Sequence, residues 1–198
     1  MNSTEKRNPP DAERIIQDAA EAVLSLKTIL PDINAAVEMF IETLSSGRKV
    51  LTAGNGGSAA EAMHLAEELS GRYCRDRRAL PGLSLCSDGT VLTCIANDYG
   101  FDDIFARQVE ALGAEGDLLV LFSTSGNSPN LIAAAKRAAN LGLRVLAMLG
   151  RGGGLMKNSP DIDLNITVPD TAGAHVQEAH QVLIHLILEH VDHLFASK

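Results

Sequence analysis

Leu51-Thr-Ala-Gly-Asn-Gly-Gly-Ser58, followed without a break by Ala59 to Ser70, decides how the chain is read. A buried strand runs into a glycine turn and out again as an amphipathic helix. Gly54, Gly56 and Gly57 let the backbone take positive φ and approach a ligand closely, and Asn55 is one of the few other residues that tolerates such a turn. Ser58 reads as the N-cap of an Ala-rich helix, whose free N–H groups suit a phosphate in the turn. Along that helix Glu61, His64 and Glu68 fall within about 60° of one another, and Ala62, Leu65, Ala66 and Leu69 fill the opposite side. A phosphate cradle thus leads directly into a helix with acid–base groups on one face.

The rest of the chain sets the frame. Its 198 residues suit one domain with a sizeable core, and at 45% hydrophobic residues the chain is globular. No apolar run reaches the ~18 residues of a membrane span. Met1-Asn-Ser-Thr-Glu-Lys-Arg has no apolar core behind it and predicts no signal peptide. Cys74, Cys86 and Cys94 are odd in number and form no C-x-x-C pair, which predicts reduced thiols and a cytoplasmic protein. A net charge of -8 disfavours a nucleic-acid surface. An anionic ligand is therefore expected to be held by local donors rather than by the global field.

Outward from the opening stretch, residues 1–10 read as a loose start ending in Pro9-Pro10. Asp11 to Leu30 has helical spacing, and Asp32 is placed to cap a second helix that Ser45-Ser-Gly47 ends. These two helices could pack on the domain or on a second subunit. Gly71 to Pro81 is a charged loop with Arg72, Arg75, Arg77 and Arg78, either solvated or helping to hold an anion. Gly82 to Cys86 predicts a short strand. Asp88 lies in a turn and cap before a helix over Val91 to Ala96, broken by Asn97-Asp98-Tyr99, and Asp102 and Asp103 could cap the helix that runs to Leu112.

A second phosphate-type unit follows. The apolar strand Asp117 to Phe122 is of the kind buried on both faces. It enters Ser123-Thr-Ser-Gly-Asn-Ser-Pro129 and then a helix over Asn130 to Leu141, with Pro129 near the first turn where Pro is tolerated. Alone this is an ordinary capped loop; two such loops at strand ends share a crevice suited to an anion. Strands over Leu143 to Gly150 and Ile162 to Val168 complete five, alternating with helices, which predicts an α/β fold with a parallel sheet and no internal domain boundary. In the final helix, Ala174 to Ala196, the apolar stripe is Val176, Ala179, Leu183, Ile187, Val191 and Leu194. His180 and His190 lie within it and read as core histidines. His175, His180, His185 and His190 recur every five residues, about 500° apart, so the rings spread around the helix. His185 falls on the polar side with Gln177, Glu178 and Gln181, where it is either solvated or at a subunit contact, the reading favoured when it is taken alone, or reaches a site from outside the core.

Gly54-Asn-Gly-Gly-Ser58, His64-x-x-x-Glu68, Asn97-Asp98-Tyr99, Ser123-Thr-Ser-Gly-Asn-Ser128 and Gln177-Glu178-x-His180 with His185 together resemble the sugar isomerase (SIS) family, and within it the phosphoheptose isomerases. The resemblance covers nearly the whole chain. It implies a three-layer fold, a single SIS domain over residues 1–198 with two leading helices at about 11–46, and a homotetramer with active sites at subunit interfaces. It also implies isomerisation of sedoheptulose 7-phosphate to D-glycero-D-manno-heptose 7-phosphate, toward lipopolysaccharide core precursors. By the same resemblance Ser123, Thr124, Ser125 and Ser128 would hold the phosphate, and Asn55, Gly56, Gly57, Asn97, Asp98 and Gln177 would contact substrate. Glu68 and His185 would be the proton-transfer pair, with Glu68 also touching substrate. His64, Glu68, Gln177 and His185 would bind zinc, as in the zinc-bearing members. Met63 stands where the family commonly has Gln, and Gly173, Ala174 and His175 replace a more polar run.

Two rivals come from other functional classes. A relative that binds the DnaA replication initiator keeps much of the phosphate frame but lacks the equivalents of Glu68 and His185, both present here. A sugar-phosphate-sensing regulator would need an added DNA-binding module, and the chain has no spare basic segment.

Overall fold

The computed structural model describes residues 11–169 and 172–196. The loose start expected through Pro9-Pro10, and Asp170 and Thr171 of the loop before the final helix, lie outside the described residues.

The first helix, α1 (Ala12–Ser25), starts where Asp11 accepts hydrogen bonds from the Glu13 and Arg14 N–H groups. It is shorter than its spacing predicts. A 3₁₀ turn over Leu26–Ile29 separates it from α2 (Leu30–Ser45), and Pro31 occupies the first turn of α2. Asp32 therefore lies inside the helix and does not cap it: the proline, which has no N–H to be satisfied, already suits the start. Gly47, at φ 75°, ends α2 in the left-handed conformation that glycine adopts most readily.

Next come β1 (Val50–Gly54), α3 (Gly57–Ser70), β2 (Gly82–Ser84), α4 (Gly89–Asp98), α5 (Ala106–Leu112), β3 (Leu118–Ser123), α6 (Pro129–Asn140), β4 (Arg144–Leu149), β5 (Leu164–Thr167) and α7 (Gly173–Phe195). The five strands form one all-parallel sheet in the order β2-β1-β3-β4-β5. Asp88 caps α4 as expected. Asp102 and Asp103 cap nothing: they fall in a 3₁₀ turn, and α5 begins after Phe105 without a side-chain cap.

The strand pleat explains the continuous apolar runs. In β3, Leu118, Val120 and Phe122 face one layer and Leu119 and Leu121 the other. The first layer is α2, α3 and α7, contributing residues such as Phe40, Leu65 and Leu183; the second is α4, α5 and α6, contributing Ile95, Val109 and Ala134. The leading helices thus pack on their own subunit: α2 on the sheet and α1 on α7. Ile16 and Leu24 of α1 remain exposed. All three cysteines are free thiols, and among the described residues no helix is long and apolar enough to cross a membrane.

The face of α7 that is buried drifts along the helix, from Val176 and His180 to Leu188 and Asp192. His180 is fully buried, as its position in the stripe predicts. His190 is exposed, contrary to expectation, and its Nδ1 approaches the Leu186 carbonyl at 2.8 Å. The drift carries the core side away from position 190.

Candidate active site

The opening stretch forms the strand–turn–helix its residues predict, with one shift. Among Gly54, Gly56 and Gly57 only Gly56 has positive φ, 57°, and it is Gly56 that stands at the N-cap of α3. Ser58 lies inside the first turn, buried, and its hydroxyl accepts a 3.4 Å bond from Gln177 Nε2. The tight turn uses its own backbone for this start, Ser58 N–H bonding to Asn55 O at 3.0 Å, so no side-chain cap is needed. Gly54 is a glycine because a Cβ there would stand 2.3 Å from the Ser58 carbonyl oxygen, whereas at Gly57 one would meet only the end of the Gln177 side chain, at 2.4 Å from Nε2.

The loops after β1 and β3 are tied together. The Asn55 and Asn130 amides bond reciprocally, both at 2.9 Å. In the second loop the Ser123 hydroxyl accepts from Gly126 N–H at 3.0 Å and the Ser125 hydroxyl from Asn127 N–H at 3.2 Å. Each serine, oriented by the bond it accepts, keeps its own O–H to donate. Ser128 is the N-cap of α6 but its side chain makes no capping bond, and the helix start adds N–H donors. Thr124 stands within the same loop, half-buried.

Helices α3 and α7 run side by side in the same direction, since Gly57 meets Gln177, His64 meets Gln181 and His185, and the end of α3 is bound by the partner of Asp192. Between them lies a cleft of about 520 Å³ lined by residues that include Gly57, Glu61, His64, Gln177 and Gln181. His64 is its hub. Its Nδ1 is 2.7 Å from Gln181 Oε1 and its Nε2 is 3.3 Å from Glu68 Oε1. The His185 ring meets His64 edge-on at 5.4 Å between centroids and stacks on Tyr73 at 5.7 Å. Burial raises the Tyr73 phenol above its usual pKa, with the nearby Cys74, Glu189 and Glu68 adding to the effect, so the ring over His185 stays neutral.

His64, Glu68 and His185 are therefore brought together, while the Gln177 amide lies a helix turn or more away over Gly57 and Ser58. Glu61 is not part of the open face: it is buried, 3.5 Å from His180 Nδ1, and neither of its carboxylate oxygens has a hydrogen-bond partner. Asn97 and Asp98 sit exposed at the end of α4, bonded to each other at 2.7 Å, in the layer opposite α3 and α7. Sequence reasoning missed Gln181 and Glu67. Gln181 carried a signal, one turn after Gln177 on the polar side of α7.

His64, Glu67 and Glu68 offer ligand atoms that all lie within 4.8 Å of one another, so this group could hold a metal ion. The local chemistry fits one. With the Gln181 amide oxygen toward Nδ1, a neutral His64 that donates to it turns the Nε2 lone pair toward the Glu68 carboxylate, a pair of electron donors suited to a cation.

In the charged loop Arg72, Arg75 and Arg78 are exposed, as the solvated reading expects, and only Arg77 departs from both readings. Arg77 is buried, donating to Asp192 Oδ1 from Nε at 2.7 Å, to Glu68 O from Nη2 at 2.7 Å and to Leu69 O from Nη1 at 2.9 Å. Asp192 Oδ2 accepts from the Cys74 and Arg75 N–H groups at 2.9 and 2.8 Å. The loop is clamped to α3 and α7, which sets Tyr73 against His185.

A profile of the SIS domain matches residues 16–150. The chain belongs to the SIS domain family. Among curated proteins of this family, a phosphoheptose isomerase of Campylobacter concisus is 49% identical over 84% of the chain and 87% of its own length. One of Helicobacter pylori is 45% identical over 88% of the chain and 90% of its own length. Among solved SIS structures, a phosphoheptose isomerase from Neisseria gonorrhoeae superposes with a TM-score of 0.81 at 37% identity, over 91% of this chain and 98% of that one. Another from Francisella tularensis gives 0.84 at 32%, over 98% and 100%.

Proposed function

We propose that this SIS protein is a phosphoheptose isomerase, an enzyme that converts sedoheptulose 7-phosphate to D-glycero-D-manno-heptose 7-phosphate through an enediol, supplying lipopolysaccharide core precursors. The observation that carries the reading is the meeting of Glu68 and His185 against one imidazole, His64, on a frame that also carries a serine-rich phosphate loop. The relatives named above are isomerases, so the initiator-binding alternative is set aside.

In the reaction the ketose loses a proton from carbon 1 and the enediol regains one at carbon 2. The Glu68 carboxylate takes and returns that proton. The His185 imidazole moves a second proton from the carbon 1 hydroxyl to the oxygen on carbon 2. Donated O–H groups of Ser123, Thr124, Ser125 and Ser128 fix the phosphate, and Asn55, Gly56, Gly57, Asn97, Asp98 and Gln177 contact the substrate. His64, Glu68 and His185 are the proposed zinc ligands, with Glu67 at hand, and Gln177 would join them by turning its amide away from Ser58; zinc, when bound, would polarise carbonyl and hydroxyl oxygens.

The site is assembled from more than one copy of the chain. From Gly57, beside the phosphate loop, to Glu68 is about 16 Å along α3, more than the extended carbon chain of the substrate covers. Asn97 and Asp98 lie in the opposite layer. A homotetramer with sites at its interfaces accounts for both, and for the exposed Ile16 and Leu24 on α1. The chain acts as one SIS domain from α1 through α7, in the cytoplasm, where its three free thiols stay reduced.

An assay on sedoheptulose 7-phosphate tests the reading. Glu68→Gln and His185→Ala are each expected to lower kcat by about 10²–10⁴-fold or more, with far-UV circular dichroism unchanged. Near-wild-type turnover in either variant would remove it from the proton-transfer pair.

A further inference from the structure

The contact between His64 and Gln181 spans two helices and falls on the one imidazole that touches both Glu68 and His185. Gln181 is half-buried and lines the cleft. Its Oε1 lies 2.7 Å from His64 Nδ1, shorter than the 3.3 Å from Nε2 to Glu68. A neutral imidazole has one proton and one lone pair, on different nitrogens. Both nitrogens face an oxygen acceptor and Gln181 is the closer, so a neutral ring that donates to Gln181 leaves Nε2 as the donor of an electron pair toward Glu68.

We infer that Gln181 is a positioning residue for metal binding: by accepting the Nδ1 proton it fixes the tautomer and the rotation of His64 so that the Nε2 lone pair points at the space shared with Glu68, a role that rests on the metal reading above. Gln177 does not do this, because its own amide is engaged over Gly57 and Ser58. With the amide turned the other way, Nδ1 would accept, Nε2 would carry the proton, and His64 would simply donate to Glu68 with no lone pair for an ion. The two arrangements make opposite demands on residue 181.

Zinc affinity of the full-length chain, measured by competition with a chromophoric chelator and with stoichiometry from elemental analysis, separates them. Gln181→Met keeps length and apolar stem, but its thioether is only a weak hydrogen-bond acceptor. It is expected to weaken zinc binding about 10–100-fold, the usual cost of losing a group that orients a ligating histidine. Gln181→Glu, which can only accept, is expected to bind within a few-fold of wild type or more tightly. The visible spectrum of the cobalt-substituted protein should follow the same order, altered in Gln181→Met and native-like in Gln181→Glu. Wild-type protein that binds zinc with Gln181→Met equal to it overturns the inference and leaves the metal reading standing. Equal weakening in both variants overturns it as well, since only packing would then matter. Wild-type protein that binds no zinc overturns the metal reading and this inference with it.

Discussion

Gly54 and Gly57 sit three residues apart in one turn, yet a methyl group would meet very different neighbours at each. At Gly54 it would press on the Ser58 carbonyl at 2.3 Å, backbone that is fixed by the first turn of α3. At Gly57 it would meet the far end of the Gln177 side chain at 2.4 Å, which can swing aside. Gly54→Ala is therefore expected to cost about 1–3 kcal/mol, the range for overpacking, and Gly57→Ala much less. Urea unfolding of the two variants checks this; equal losses would contradict it. His185 makes a related point. Its ring is exposed within the subunit but held between His64 and Tyr73, so its orientation is set by two residues that no spacing along α7 could indicate.

At the scale of elements, the decisive link is Arg77 with Asp192. It joins the loop after α3 to the last turns of α7, and both side chains are fully buried. Burial alone would raise the Asp192 carboxyl, but hydrogen bonds from Arg75 N–H, the Arg77 guanidinium and Cys74 N–H outweigh it and hold the pKa below the usual range. Because the folded value lies below the unfolded one of about 3.9, the pair stabilises the fold above that pH and the contribution fades as pH falls through the folded value. Asp192→Asn leaves the guanidinium buried without its counter-charge and is expected to cost about 3–5 kcal/mol at neutral pH. The variant should also lose less stability than wild type on acidification below about pH 4. Denaturant midpoints at pH 7 and pH 3 test both statements, and a midpoint at pH 7 equal to wild type would sink the clamp. The same clamp holds the Glu68 carbonyl, so part of that damage should appear as lost isomerisation.

For the whole molecule the issue is whether one chain completes a site. The serine-rich loop after β3 lies at the C-terminal edge of the sheet, and α3 and α7 carry Glu68 and His185 away from it. In a protein carrying both Ser123→Ala and Ser125→Ala the KM for phosphorylated sugar should rise, while Glu68→Gln alone should turn over very slowly. Co-expressed, the two variants are expected to regain activity, because about a quarter of the sites in a random assembly would draw an intact loop and an intact carboxylate from different copies. Mixtures no more active than the sum of the separate proteins would argue for sites complete within one chain.

The α/β class, the five parallel strands and the two serine- and glycine-rich loops were legible in the residues alone, because period and turn chemistry are local properties. It also put His64 and Glu68 on one face, since they share a helix at four-residue spacing. Element limits were less legible: Asp32, Ser58, Asp102 and Asp103 all looked like caps, but Pro31 and the backbone of tight turns did the work instead. That His185 and Gln181 meet His64, that Glu61 turns inward to His180 and that Arg77 is a buried clamp became visible only with the helices packed in three dimensions. Those pairings join residues more than a hundred positions apart. They follow from how α7 lies beside α3 on one face of the sheet, and the periodicity of either helix alone carries no information about the other.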